Sequence, residues 1–329
     1  MSERRVAQRS ARGGCSLVAE GTSTHLDDWN RRLAEYEESQ HLGGRRRVLS
    51  AMRSNKLLLL GGTLGLVVLT AGVLGPWISG VDYTAQDFQN THLPPGSEGH
   101  ILGTDGLGRD IAVRLFMGLR VSLIVAAGVT ALALVAGIML GMASGFLGGW
   151  VDRSIRGVVD FVWGFPLILV AVLFAGGLGE GLFPVILAVG LVNTAAIARV
   201  VRGEVLALSE QEFIEAANAG GLSTFRIMWR HLFPNILAAA FVLASYYVAV
   251  AIIAEAALSF IGLGAQPPTP SLGQMVAEGR NFLRLNHWES TLPGMTIVIL
   301  VLSASLIGDG LRDVFDPRLR HDANRIDEE

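Results

Sequence analysis

The chain has 329 residues, of which 51% are hydrophobic and only 17% charged, with a mean hydropathy of +0.46. A soluble domain carries about a quarter charged residues, so this composition, with 40 glycines, excludes an ordinary soluble enzyme and a disordered chain alike. A net charge of −3 supplies no basic field for nucleic acid.

Residues 1–56 read as an N-terminal extension. Cys15 is the single cysteine, so it has no partner for an internal disulfide, and it lacks the neighbours of a zinc site. No apolar run precedes it, as a lipid-anchored cysteine would require. Leu26, Trp29, Leu33 and Tyr36 recur at helical spacing behind Asp27 and Asp28. That pattern predicts a short amphipathic helix lying on the membrane or on a partner. Arg45, Arg46 and Arg47, with Arg53 and Lys56, form a basic run suited to anionic headgroups and to fixing topology.

Six apolar blocks follow, at 57–79, 119–146, 158–178, 182–201, 236–258 and 293–309. Each approaches the ~20 residues that cross a ~30 Å hydrocarbon core. Lipid offers the backbone no hydrogen bonds, so the blocks are expected to be helices; they are too long and too apolar for barrel strands. The expected fold is an all-α polytopic membrane protein with six transmembrane helices. With the N-terminus inside, the inner segments hold twenty-one Arg and Lys residues and the outer loops four, Arg120 lying at a boundary. Both termini are therefore expected in the cytoplasm.

The centres of the blocks are free of charge, which counts against a self-sufficient ion- or proton-coupled carrier. Asp160 and Glu255 fall near block ends, where local pairing near the interface is expected. Asn193 and Thr194 are the few polar groups of the fourth block, suited to helix–helix hydrogen bonds more than to a translocation path. Gly137, Gly141, Gly145 and Gly149 repeat at i+4, as do Gly61 and Gly65, making smooth faces for close helix approach.

Between the blocks, the outer segment Leu102–Asp110 (Leu-Gly-Thr-Asp-Gly-Leu-Gly-Arg-Asp) reads as a turn and a helix started by Thr104 or Asp105. An Asp–Arg arrangement there would brace the entry to the second block; the further ligand spacing of a calcium loop is missing. Gln266–Pro270 is expected to be rigid and extended. On the cytoplasmic side, residues 202–235 predict a helix from Ser209 or Glu210 through Ala219, stopped by Gly220-Gly221. A second helix from Ser223 to His231 and Pro234 in the first turn of the fifth block complete the loop. The small Ala216-Ala217 surface suits two arrangements: entry into a partner's groove, or folding against its own domain.

Glu215-Ala216-Ala217, Gly221 and Pro234 stand in the register of the Glu-Ala-Ala signature of ATP-binding-cassette importer permeases, which this loop resembles. His231 and Phe233 replace the generic Ile and Leu of that signature, at positions expected to pack. Leu102–Asp110, the Gly145-Phe-Leu-Gly-Gly-Trp-Val-Asp152 stretch, Ala257–Pro268 and Gly308–Arg318 extend the resemblance from about residue 50 to 320. They are similar to the C-type permease subunit of the dipeptide/oligopeptide/nickel family. The resemblance implies a type I importer permease fold, with a domain at 57–310, a cytoplasmic coupling loop at 202–235 and a cytoplasmic tail at 311–329. It also implies a multi-pass protein of the bacterial plasma membrane, surrounded by lipid. Its implied partners are a homologous permease subunit, two cytoplasmic ATPase subunits and an extracytoplasmic substrate-binding protein.

In that scheme Glu215, Ala216, Ala217, Gly221 and Pro234 form the ATPase-coupling motif. The chain itself is non-catalytic, with no metal, and ATP and Mg belong to the partner subunits. The lone lysine agrees: Lys56 lies in Asn-Lys-Leu, without the Gly-rich run and following Ser or Thr of a phosphate-cradling loop. The expected cargo is a di- or oligopeptide. The motifs do not encode the ligand, so a nickel chelate or glutathione carried by the same architecture remains as an alternative. The cargo cavity is expected between the two permease subunits, lined by the third to fifth helices, with no contact residue named.

Overall fold

A computed structural model describes residues 55–315. The expected amphipathic helix at 26–36, Cys15, the basic run at 45–53 and the chain from 316 lie outside the described residues. The elements are helices: α1 Lys56–Ile78, α2 Ile111–Leu147, α3 Gly149–Trp163, α4 Leu167–Leu178, α5 Leu182–Ser209, α6 Glu212–Ala219, α7 Thr224–Ile227, α8 Phe233–Phe260, α9 Leu272–Gly279 and α10 Trp288–Phe315. Among the described residues the only β features are isolated bridges at Ser97–His100 and Thr104–Asp110.

Five of these helices (α1, α2, α5, α8 and α10) are long and apolar enough to cross a membrane. The sixth expected span is not one straight helix. At 158–178 the chain breaks between α3 and α4, which meet at 92°. Pro166 has no N–H to donate and disfavours helical geometry in Phe165, so the chain turns at Gly164–Pro166. The backbone N–H of Gly164 closes α3 on Asp160 and Phe161.

Helix α2 runs through the centre, packed on α1, α5 and α8, while α10 closes on α1 and α8. The glycine stripe explains the α2–α5 seam. A Cβ on Gly137, Gly141 or Gly145 would come within 2.7–2.8 Å of Ile197, Val201 or Val205, so only bare backbone fits. Gly149 leaves this stripe; it opens α3 at φ +56° with open space around it. Gly61 and Gly65 meet Leu306, Ile307 and Ser303 of α10 in the same manner, and Ser303 Oγ donates to the Gly61 carbonyl at 3.1 Å.

At 37 residues, α2 is about 55 Å long at ~1.5 Å per residue, longer than a bilayer core requires. Its first two turns project beyond the expected span because Asp110, not Thr104 or Asp105, caps the helix by accepting from the Val113 N–H at 3.1 Å. Asp105 instead organises the preceding loop. Its carboxylate accepts the backbone N–H groups of Leu107 and Arg109 at 2.9 and 3.0 Å, Arg109 Nε at 2.7 Å and the guanidinium of buried Arg114. Glu278 of α9 takes the other ends of both arginines, at 3.1 and 3.0 Å.

Burial pushes the Asp105 carboxyl up, but the Arg114 charge, the two backbone donors and Arg109 outweigh it and hold it below the ordinary carboxylate value. Beside this brace, His92 Nδ1 lies 2.6 Å from Glu289 and His100 Nδ1 lies 2.8 Å from Asp110. The expected extended run at Gln266–Pro270 is a turn, with a cis Pro267–Pro268 bond and the Thr269 N–H on the Gln266 carbonyl at 3.1 Å.

Candidate functional site

The opposite end of α2 and α5 carries the loop with the Glu-Ala-Ala motif. Helix α5 continues through Ser209, so no new helix begins there as expected. A turn at Glu210–Gln211 follows, and Gln211 presents its carbonyl to the Ile214 and Glu215 N–H groups at 3.0 and 3.2 Å, opening α6. Glu212 and Glu215 sit in the first turn, where their charge complements the helix N-terminus. The stop is the expected one. Gly220 N–H returns to the Ala216 carbonyl at 2.9 Å, Leu222 N–H to Ala217 at 3.2 Å, and Gly221 turns the chain at φ +72°, a conformation glycine adopts without strain.

The two faces of α6 divide the alternatives left by sequence. Ile214 and Ala217 are buried, joined with Ile227, Leu232 and Ile236 to Ile197, Val201 and Val205 of the bundle. Glu215, Ala216 and Gly221 are exposed on the other side. The element both folds against its own domain and leaves a small, acidic surface open. Ala217 therefore belongs to the anchor, not to the exposed surface. Pro234 is part of another element, the head of α8.

The second helix of the loop has the expected extent but changes type along its length. After Thr224–Ile227 the chain widens into a π-helical turn, Met228–Leu232, which feeds directly into α8. Phe233 packs partly against the core, as expected, while His231 is half-buried and offers its carbonyl to Asn235 Nδ2 at 2.6 Å. Sequence reasoning passed over the aromatic row Phe225, Trp229 and Phe233. Their rings lie 6.1 and 5.0 Å apart, and Phe225 and Trp229 are exposed. The i+4 spacing was the available signal.

A polar seam fixes the base of this element. Asp152 of α3 accepts both Arg202 Nε and Nη2, at 2.7 and 3.0 Å, with Ser144 Oγ at 2.6 Å and Arg156 Nε at 3.1 Å. One turn along α5, Arg199 Nη2 pairs with Asp160 at 2.9 Å and its guanidinium lies 5.1 Å over the Trp163 ring. Asp160 thus pairs locally, as expected.

Glu255 pairs locally, within the bundle. It is fully buried and takes hydroxyl donors from Ser122 of α2 at 2.8 Å and Ser259 of α8 at 2.7 Å. Thr194 bonds the Gly190 carbonyl of its own helix at 2.7 Å, and buried Asn193 Nδ2 has no partner, so neither makes the expected interhelical bond. Among the described residues no group of three or more His, Cys, Asp or Glu side chains is placed to hold a metal ion.

Residues 137–321, which include α6 and its whole loop, match the family of binding-protein-dependent transport system inner membrane components. The chain belongs to this family. Residues 45–95 match the N-terminal transmembrane domain of oligopeptide transport permease C.

Among its relatives, the dipeptide transport system permease protein of Alkalihalophilus pseudofirmus is 37% identical over 84% of this chain and 90% of its own. The oligopeptide transport system permease protein of Bacillus subtilis is 36% identical over 82% and 88%. The glutathione transport system permease protein of Pectobacterium atrosepticum is 38% identical over 78% and 86%. A chain of the MetNI methionine ABC transporter, solved in inward-facing conformations, superposes with a TM-score of 0.51 at 21% identity, over 62% of this chain and 97% of that one. This likeness concerns the fold. As an inner-membrane transport component, the chain is a multi-pass membrane protein, and its long apolar helices are the spans.

Proposed function

We propose that the chain is the membrane-spanning permease subunit of an ATP-driven importer, passing di- or oligopeptides delivered by a substrate-binding protein. Both termini face the cytoplasm in this reading, which rests on the twenty-one Arg and Lys residues of the inner segments against four in the outer loops. The permease domain spans 57–310, with residues 1–56 and 311–329 as cytoplasmic extensions. A homologous permease subunit and two ATPase subunits complete the assembly. ATP and Mg bind on the ATPases, and this chain carries no catalytic step. The names of the dipeptide and oligopeptide permease relatives support the cargo. A glutathione cargo is the second reading, favoured by the glutathione permease relative at 38% identity.

One observation carries the coupling role: α6 is anchored inward by Ile214 and Ala217 while Glu215, Ala216 and Gly221 stay exposed. A helix held by its own core and open on a small-residue face transmits force to whatever docks on it. Glu215 supplies a charge-assisted hydrogen bond to a docking groove, and small Ala216 permits close approach. ATP-driven closure of the ATPase pair would then push on α6, and the Asp152–Arg202 seam would pass the displacement to α3 and α5. Co-purification with the cognate ATPases tests this. Glu215→Ala and Gly221→Asp are expected to lower recovery of the complex while membrane insertion is retained. Unchanged recovery together with unchanged transport-coupled ATP hydrolysis would remove the coupling assignment.

A further inference from the structure

Helix α3 presents three faces instead of two. Ile155, Val159 and Val162, at i, i+4 and i+7, pack on Leu140 of α2 and on Ala195 and Ala198 of α5. Trp150, Val158 and Phe161, at i, i+8 and i+11, are exposed on a second, apolar face. Phe165 continues that face past the helix end, its ring 4.9 Å from the Phe161 ring. Arg153, Arg156 and Asp160, at i, i+3 and i+7, form an exposed polar edge. At ~3.6 residues per turn the centres of the three faces stand about 120° apart. One face meets the bundle, and the other two meet different solvents, one apolar and one aqueous.

The helix also lies across the bundle. Asp152 pairs with Arg202 and Asp160 with Arg199. At ~1.5 Å per residue the two aspartates are about 12 Å apart along α3, but their arginines only about 4.5 Å apart along α5. Helix α3 therefore crosses α5, and it meets α4 at 92°. Because α5 spans the membrane, α3 runs close to the membrane plane. A helix in that attitude, with an apolar face and a polar edge both open, fits the boundary between hydrocarbon and water.

Composition identifies what covers the open faces. Trp150 and Trp163 mark the two ends of α3, and indole rings favour the level of the lipid headgroups. Charge adds a preference. Asp152 and Asp160 are matched by Arg202 and Arg199, so with Arg153 and Arg156 the cluster holds four arginines against two aspartates. Arg156 offers only Nε to Asp152, at 3.1 Å, which leaves its other donors for an acceptor outside the chain. We propose that α3 is an interfacial helix that binds anionic phospholipid. The acyl chains cover Trp150, Val158 and Phe161, and the headgroup phosphate meets Arg153 and Arg156. The proposal rests neither on the cargo nor on the α6 surface.

Depth-dependent fluorescence quenching in proteoliposomes tests it, on the full chain purified with cysteine-free versions of the subunits that accompany it. Cys15→Ser removes the single cysteine, so a bimane label can be placed at Val158→Cys on α3 or at Leu173→Cys, exposed on α4. A nitroxide on lipid carbon 5 is expected to quench the Val158 label more than one on carbon 16, with the reverse order at Leu173. Carbon-5 nitroxide phosphatidylglycerol is expected to half-quench the Val158 label at about a tenth of the mole fraction needed with the phosphatidylcholine analogue. Arg153→Gln/Arg156→Gln is expected to bring the two lipids together while the depth is unchanged. Absence of quenching by either lipid, the mark of a face covered by protein, overturns the proposal. So does equal depth at the two positions, equal quenching by the two lipids, or a double variant that keeps the preference. The depth and lipid comparisons are made with both arginines in place, so a double variant that fails to fold leaves the test intact.

Discussion

Ile214 and Glu215 are consecutive on α6 and sit in opposite surroundings, so truncating each separates anchoring from docking. Ile214 is 0% exposed and packs in the cluster that joins α6 to Val205, Ile227 and Leu232. Ile214→Ala removes three buried carbons, about 2.4 kcal/mol at ~0.8 kcal/mol per methylene. The neighbours come from three separate helices and cannot all collapse inward. A residual cavity therefore raises the cost to about 3 kcal/mol, inside the ~2–5 kcal/mol range for such truncations. Glu215 is exposed, and its loss costs the chain at most about 0.3–1 kcal/mol of helix-terminus electrostatics.

The assay is denaturant unfolding of the purified full chain in detergent, run beside co-purification with the ATPase subunits. Ile214→Ala is expected to lower stability by about 3 kcal/mol and to weaken docking as a consequence. Glu215→Ala is expected to weaken docking at nearly unchanged stability. Equal destabilisation by the two, or an Ile214→Ala chain as stable as the parent, would refute the two-faced description of α6.

Two further outcomes follow from the packing and the brace. Gly141→Val is expected to destabilise by about 1–3 kcal/mol through overpacking, since even a Cβ there falls 2.7 Å from Val201. Gly203→Ala on α5 meets nothing within 4 Å and is expected to be neutral or to stabilise by up to about 1 kcal/mol, in the same unfolding assay. Asp105, whose carboxyl is held below its ordinary value of 3.8, contributes stability that is complete above that pH and is lost only as pH falls through the lowered value. Thermal unfolding from pH 7 downward is expected to show this loss in the native chain below the ordinary carboxylate range, and Asp105→Asn is expected to flatten it.

The straight spans and the glycine seam were legible because they depend on local properties, apolar run length and i+4 spacing. The stop at Gly220-Gly221 was legible for the same reason, as glycine there serves the turn itself. The break at Gly164–Pro166 was hidden because hydropathy sums over residues and is the same for a straight or bent segment. Pro166 was visible, but a proline bends a membrane helix by an amount that neighbouring packing decides. The α2 start at Ile111 was missed because Arg114 lowers the local hydropathy, while the structure satisfies that charge with Asp105 and with Glu278, 164 residues away. Spacing in sequence carries no trace of such a pairing. The division of α6 into Ile214–Ala217 and Glu215–Ala216 faces was implicit in the helical period, yet which face meets the core depended on Val205 and Ile227 being brought beneath it.

Peptide movement through this chain is expected only when a separate subunit supplies ATP hydrolysis through α6. The most direct measurement is uptake of radiolabelled trialanine into proteoliposomes, with the binding protein outside and ATP inside. The complete assembly is predicted to accumulate peptide only with hydrolysable ATP, and to lose that uptake with Glu215→Ala/Gly221→Asp while the chain stays inserted. Uptake by this chain alone, without ATPase subunits or ATP, would contradict that dependence.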